Sequence, residues 1–171
     1  MGYRTKTYIA GDWTGDKNVI DQLYKWNDSK YWGLNFSDAH ELTQSNDSSK
    51  PCSIKRSLAT RLDASKAFVL VVGKGTLGLT KGSCRWCYSY DSYHTSCHAG
   101  GNVDFRSFVE YECEKASRDG LKIVVIYNYA QVDKSKCPEV LRSKGKHVAA
   151  YYYKDGQLYW NYQSIKDAIM D

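Results

Sequence analysis

The sequence predicts a doubly wound α/β fold, a five-stranded, mainly parallel sheet with helices on both faces, and two observations carry that expectation. Lys66 to Gly73 (KAFVLVVG) and Leu121 to Asn128 (LKIVVIYN) run without polar alternation, as strands covered on both faces do. Around them, strand-like and helix-like segments alternate along the chain. That order closes into right-handed parallel crossovers.

The elements follow in sequence. Thr7 to Ala10 is a short apolar strand that ends in the turn-rich loop Gly11-Asp12-Trp13-Thr14-Gly15-Asp16. Asp16 can cap a helix in which Val19, Ile20, Leu23 and Trp26 repeat at helical spacing. Gly33 to Ser37 reads as a second, weaker strand ending in Asp38-Ala39-His40, and the polar stretch Glu41 to Cys52 is a loop long enough to suggest a binding role. Ser53 suits the N-cap of a helix with Ile54, Leu58 and Leu62 on one face and Lys55, Arg56 and Arg61 largely outside it. After the Lys66 strand comes an atypical stretch rich in Gly, Ser, Cys, Tyr and His, with a Cys/His-rich insertion at about 79–103. Beyond Asn128, Pro138 opens a helix that Gly145 stops; His147 to Tyr153 and Gln157 to Trp160 flank Lys154-Asp155-Gly156 as a C-terminal hairpin. Ile165, Ala168 and Ile169 mark a closing helix.

The arrangement is flavodoxin-like, and all 171 residues form one domain. Ligands of such folds bind outside the carboxyl ends of the strands. Gly11 to Trp13, Asp38 to His40, Gly73 to Thr76 and Asn128 should therefore emerge on that side.

The helix before the second long strand carries the chemical signal. At about 100° per residue, Phe105, Phe108, Val109, Cys113 and Ala116 gather on one face, and Glu112 falls in the middle of it. Glu110 and Glu114 point the other way. Burying an unpaired carboxylate costs several kcal/mol, roughly, so Glu112 needs an ion-pair partner, a cleft or a ligand. An ion pair with an arginine of a neighbouring element is the plain structural alternative.

Composition excludes several classes. Hydrophobic content of 42% and charged content of 25% are globular values. No apolar run reaches membrane-spanning length, and the start MGYRTKTYIAG carries neither a signal-peptide core nor a myristoylation signal, so a cytoplasmic protein without a membrane partner is expected. A net charge of +5, spread along the chain, makes a poor nucleic-acid footprint. Gly73-Lys74-Gly75-Thr76-Leu77-Gly78 fits the dinucleotide fingerprint in letters only, because Leu79-Thr80-Lys81-Gly82 opens no amphipathic helix. It is a glycine-rich turn. Neither a Walker A sequence nor a G-x-S-x-G elbow is present. Cys84, Cys87, Cys97 and His98, with His94 beside them, offer the ligands of a small structural zinc site, with free thiols or a redox pair as alternatives. Cys52, Cys113 and Cys137 stand as isolated thiols.

Taken in order, Tyr8-Ile9-Ala10-Gly11-Asp12-Trp13, Phe36-Ser37-Asp38-Ala39-His40, the strand Phe68 to Gly73 and Phe108-Val109-Glu110-Tyr111-Glu112 resemble a TIR-like domain, similar to the bacterial Thoeris anti-phage TIR-like (ThsB-type) proteins. The resemblance covers Thr7 to about Tyr153. It implies an NAD-consuming enzyme, a glycohydrolase or cyclase making an ADP-ribose-derived signal for a separate effector, with self-assembly through the domain and no cofactor beyond NAD as substrate. In such enzymes an aromatic residue stands four positions before an essential glutamate. Here these are Phe108 and Glu112, with Phe108 where tryptophan is common and Val109 where cysteine is common. The chemistry asks for little else, since one ionised carboxylate beside the ribose stabilises the oxocarbenium ion as the cationic nicotinamide leaves neutral. Trp13 could stack on a ring, and Gly11, Asp12, Asp38, His40, Gly73 and Phe108 are the other candidate substrate contacts. Two rivals stand beside this reading. Tyr8-Ile9-Ala10-Gly11 also resembles the opening of nucleoside deoxyribosyltransferases, and a non-catalytic TIR-like adaptor would use the fold for protein contacts alone.

Overall fold

A computed structural model describes residues 3–41 and 50–171. Most of the polar loop expected between Glu41 and Cys52 lies outside the described residues. The elements are β1 (Lys6–Ala10), α1 (Lys17–Asp28), α2 (Pro51–Asp63), β2 (Ser65–Val72), β3 (Tyr90–Asp91), β4 (Ser96–Cys97), α3 (Phe108–Arg118), β5 (Lys122–Tyr127), β6 (Lys146–Ala149), β7 (Tyr151–Lys154), β8 (Gln157–Trp160) and α4 (Tyr162–Met170). Among the described residues the main sheet is four-stranded and parallel, in the order β1-β2-β5-β6.

Strand alternation sorts the side chains into two layers. Tyr8, Phe68, Leu70, Val125 and Tyr127 face α2 and α3, where they meet Leu58, Leu62, Val109, Cys113 and Ala116. Ile9, Val69, Val71, Val124 and Ile126 face α1 and α4 and meet Val19, Ile20, Leu23, Ile165 and Ile169. Helices thus cover both faces, which is why β2 and β5 are apolar at every central position.

The expected second strand at 33–37 does not form, and the sheet has four strands where five were expected. Gly33 and Asn35 both take left-handed backbone, at φ +55° and +54°, which breaks an extended run. The segment still lies beside β1, through one parallel bridge between Thr7 and Asp38 and a 2.7 Å bond from Thr7 N–H to the Ser37 carbonyl. Asn27 of α1 replaces the missing ladder: its amide nitrogen donates to the Phe36 carbonyl at 3.0 Å and its oxygen accepts from Phe36 N–H at 2.7 Å.

Other local expectations shift for identifiable reasons. Helix α2 starts at Pro51 with Lys50 in the cap position, so Ser53 is no cap; proline's fixed φ suits the first helical turn. Asp16 occupies the N-cap of α1, but its side chain makes no capping bond. Helix α3 begins only at Phe108, because Ser107 and Glu110 form a capping box: Glu110 N–H donates to Ser107 Oγ at 3.1 Å and Ser107 N–H to Glu110 Oε2 at 2.7 Å. Phe105 therefore lies outside the helix, 42% exposed. The helix expected after Pro138 is a single 3₁₀ turn, Glu139–Leu141. The stretch His147 to Tyr153 is not one strand. It divides at Ala150, with β6 joining β5 and β7 pairing antiparallel with β8 about a turn in which Asp155 and Gly156 both have positive φ. Within the insertion, β3 and β4 form a small antiparallel pair.

Ser107→Ala should lower stability by about 1 kcal/mol, the usual cost of a lost N-cap, seen as an earlier urea midpoint at unchanged slope. Ser53→Ala should stay within about 0.5 kcal/mol of the parent, as an exposed helix position does; an equal loss would mean that α2 is capped at Ser53 after all.

Candidate active site

Glu112 sits on the buried face of α3, 7% exposed among Val109, Cys113 and Ala116. Tyr8, fully buried in β1, points into the same layer, and its hydroxyl donates to Glu112 Oε1. Its ring stacks on Phe68 of β2, with centroids 5.8 Å apart. The guanidinium of Arg61, 8% exposed on α2, adds favourable charge. Burial nevertheless dominates: it pushes the Glu112 carboxyl from 4.5 up to about 7, against the Tyr8 hydrogen bond and the Arg61 charge. Tyr8 is raised well above the ordinary phenol range, by its own burial first and the Glu112 charge second.

This carboxyl forms part of the lining of a cleft of about 630 Å³ at the carboxyl end of β1. The β1 loop supplies Gly11, Asp12 and Trp13 to its rim. Gly11 is needed for close packing, because a Cβ there would lie 3.0 Å from the Val71 carbonyl oxygen. Asp12 turns the loop by accepting from Thr14 N–H at 3.1 Å. Trp13 is 45% exposed and stands edge-on to His40, with centroids 5.1 Å apart.

Behind Trp13 lies a polar chain. Asp38 accepts from the Tyr24 hydroxyl at 2.8 Å through Oδ2, and Oδ1 stands 3.0 Å from both His40 N–H and His40 Nδ1. Burial works against the Asp38 charge, but the bonds from the His40 ring, the His40 backbone and Tyr24 outweigh it and hold the carboxyl below its ordinary value. The His40 ring packs 4.9 Å from the Tyr8 ring, so the chain approaches the residue that bonds Glu112.

The opposite wall is apolar, with Ile54 and Leu58 from α2, Leu79 from the start of the insertion and Phe108 from α3. Lys81 also borders the cleft; its carbonyl accepts from Phe108 N–H at 2.8 Å. The next residue, Gly82, has φ +102°, and a Cβ there would come within 2.4 Å of the Phe108 ring. A cationic residue on α2, a tyrosine–carboxyl pair and aromatic rings thus surround one opening. Such a lining offers a ligand apolar faces, a carboxyl and cationic groups.

Gly11, Asp12, Trp13, Asp38, His40, Phe108 and Glu112 therefore come together. Gly73 does not. Alternation at the end of β2 turns it toward α1, where a Cβ would lie 1.9 Å from Asp16 Oδ1. Asp16 is itself 3% exposed, bonded through Oδ1 to Asn128 Nδ2 at 2.8 Å.

Among the described residues, no group of three or more His, Cys, Asp or Glu is placed closely enough to hold an ion. Cys84 is buried with its sulfur accepting from Asp104 N–H at 3.3 Å. His94 Nδ1 and His98 Nε2 lie 2.6 and 3.6 Å from Asp91 Oδ2.

Tyr24, Arg61, Leu79 and Lys81 are cleft residues that the sequence did not single out. For Arg61 the signal was available, since it lies seven residues after Ile54 and so on the same helical face. Lys55 was likewise placed outside that face, yet it is 5% exposed and donates to the Arg106 carbonyl at 2.7 Å. Among the described residues, no helix is long and apolar enough to cross a membrane.

Residues 8–80 match the family described as Thoeris protein ThsB, TIR-like domain. The matched stretch runs from β1 through the turn after β2 and stops short of α3. No curated protein matches the chain.

The folded chain holds a proton on Glu112 more tightly than the unfolded chain, so stability should fall as pH rises from about 4.5 to about 7. The Glu112 contribution to that fall is at most about 3 kcal/mol. Glu112→Gln keeps an acceptor for Tyr8 and should remove it. Urea unfolding at about pH 5 and pH 8 checks this: the gap between wild type and variant should widen at the higher pH in the variant's favour, and a constant gap would mean that Glu112 titrates normally.

Proposed function

We propose that this chain, whose residues 8–80 match the ThsB-type TIR-like family, acts in anti-phage defence as an NAD-consuming enzyme. It breaks the bond between nicotinamide and ribose and releases an ADP-ribose-derived product, linear or cyclic, that acts on a separate effector. The observation that carries this reading is Glu112, a carboxyl raised to about 7 beside an aromatic-rimmed cleft. Near neutral pH such a group is partly ionised, and the nicotinamide cation favours the ionised form on binding. As the glycosidic bond stretches, its electron pair leaves with nicotinamide and positive charge spreads over C1 and the ring oxygen of the ribose. The fixed carboxylate lowers the energy of that charge. Tyr8 holds the carboxylate in one orientation through its hydroxyl. Trp13 and Phe108 offer faces for the nicotinamide or adenine ring, while Arg61 and Lys81 supply positive charge for the pyrophosphate.

A non-catalytic adaptor is the second reading, and the bond from Tyr8 to Glu112 is what favours it, since the carboxyl already has a protein partner. The two readings differ in what Glu112 does for turnover. Purified protein at a concentration that favours assembly should release nicotinamide from NAD, faster from about pH 6 to pH 8 with a midpoint near 7. Folded Glu112→Ala should lose about 10²-fold or more. No release from wild type, with or without infected-cell lysate, would leave the adaptor; exchange of nucleoside bases without NAD turnover would instead place the chain with the deoxyribosyltransferases.

A further inference from the structure

We propose that His40 is the general base of the second half of this reaction, taking the proton from the hydroxyl group that captures the ribosyl cation once nicotinamide has left. The proposal rests on the NAD-cleaving reading and adds to it a division of labour: Glu112 serves bond breaking, His40 serves bond making.

The geometry comes first. Asp38 Oδ1 lies 3.0 Å from His40 Nδ1 and also accepts His40 N–H at 3.0 Å, so one carboxylate oxygen fixes both the ring and its backbone. The other oxygen is held by Tyr24 at 2.8 Å. In the neutral imidazole, a carboxylate at Nδ1 places the hydrogen there and leaves the lone pair on Nε2. Among the described residues, none bonds Nε2. The ring lies between Tyr8, at 4.9 Å, and Trp13, at 5.1 Å, in the lining of the same cleft as Glu112. Its side chain is 23% exposed, so it is both fixed and reachable.

The chemistry then calls for such a group. Departure of nicotinamide consumes no proton, because the leaving nitrogen becomes neutral with the bond's electron pair. Capture is different. When water or a ribose hydroxyl attacks C1, the new C–O bond forms from an oxygen lone pair and the O–H proton must go elsewhere; Nε2 takes it and later returns it to solvent. Glu112 could accept a proton too, but its carboxyl is spent on holding the cation and is bonded by Tyr8. A pyridine nucleophile, by contrast, attacks C1 through a nitrogen lone pair with no proton to lose. The base should matter for hydroxyl acceptors and not for pyridine acceptors.

That difference defines the experiment. Wild type, His40→Phe, His40→Ala and Asp38→Asn are incubated with NAD and isotopically labelled nicotinamide; incorporation of label into NAD and formation of ADP-ribose products are followed together. His40→Phe retains a ring against Tyr8 and Trp13 while removing both nitrogens. We expect the ratio of hydroxyl-acceptor product to label exchange to fall by about 10²-fold or more in both His40 variants, whatever common loss in binding the two activities share. Asp38→Asn, which removes the positioning charge, should shift the same ratio in the same direction by less. If product and exchange fall together in the His40 variants, or neither falls, His40 is a binding or structural residue and the proposal is overturned while NAD cleavage stands. If wild type itself shows neither exchange nor product, both this proposal and the NAD-cleaving reading fail.

Discussion

The hydrogen bond from Tyr8 to Glu112 joins the start of the chain to its middle, across 104 positions of sequence. A carboxyl on the core side of a helix would cost several kcal/mol if left bare, roughly. Tyr8 offsets part of that cost because strand alternation sends its side chain toward the α2 and α3 layer, and its length lets the hydroxyl reach the helix. The bond in turn limits how α3 can rotate over the sheet. Since Phe108 stands one turn before Glu112 on the same side, fixing the carboxyl also fixes one wall of the cleft. The capping box of Ser107 and Glu110 sets the start of the helix, so rotation and origin of α3 are determined by separate devices.

The parts of this architecture governed by burial are visible in the letters. β2 and β5 are apolar throughout because helices cover both of their faces, and no other element of the chain has that pattern over the same length. Glu112 stands out for the complementary reason, as a charge in an apolar stripe. What depends on individual backbone angles is less visible: Gly and Asn are the residues that take left-handed backbone most readily, but no letter says that Gly33 and Asn35 both do so here, which ends the prospect of a second strand. The buried cations of α2 escape a reading that treats Lys and Arg as solvated by default. Lys55 is covered by chain from the far side of the insertion, Asp104 and Arg106, whose approach no local pattern announces. The candidate cleft was legible to the extent that strand ends collect ligands, and Gly73 shows the limit of that rule, since position within a strand also decides which layer its last residue meets.

The 33–38 segment illustrates a trade between order and placement. A full strand beside β1 would run straight on past Asp38 and carry His40 onward at about 3.3 Å per residue. Held by one bridge and by the side chain of Asn27, the chain can turn into the 3₁₀ helix at Ala39–Glu41, and that turn brings the His40 ring back over Tyr8. The helix carrying Tyr24 and Asn27 thereby anchors the segment at two points, one through backbone groups at Phe36 and one through the Asp38 carboxylate.

Gly82 joins the insertion to the cleft in a way that bears on how freely the insertion can vary. Its positive φ and its contact with the Phe108 ring both require the absence of a side chain. Most of the residues that follow can change length and composition without touching the cleft, since they fold back on themselves through β3 and β4. A substitution at 82 is different: it would push the Phe108 ring, and the wall would move with it. The insertion therefore meets the cleft wall at a position where a β-carbon has no room, so a change at Gly82 and a change in the outer strands have different consequences for the site.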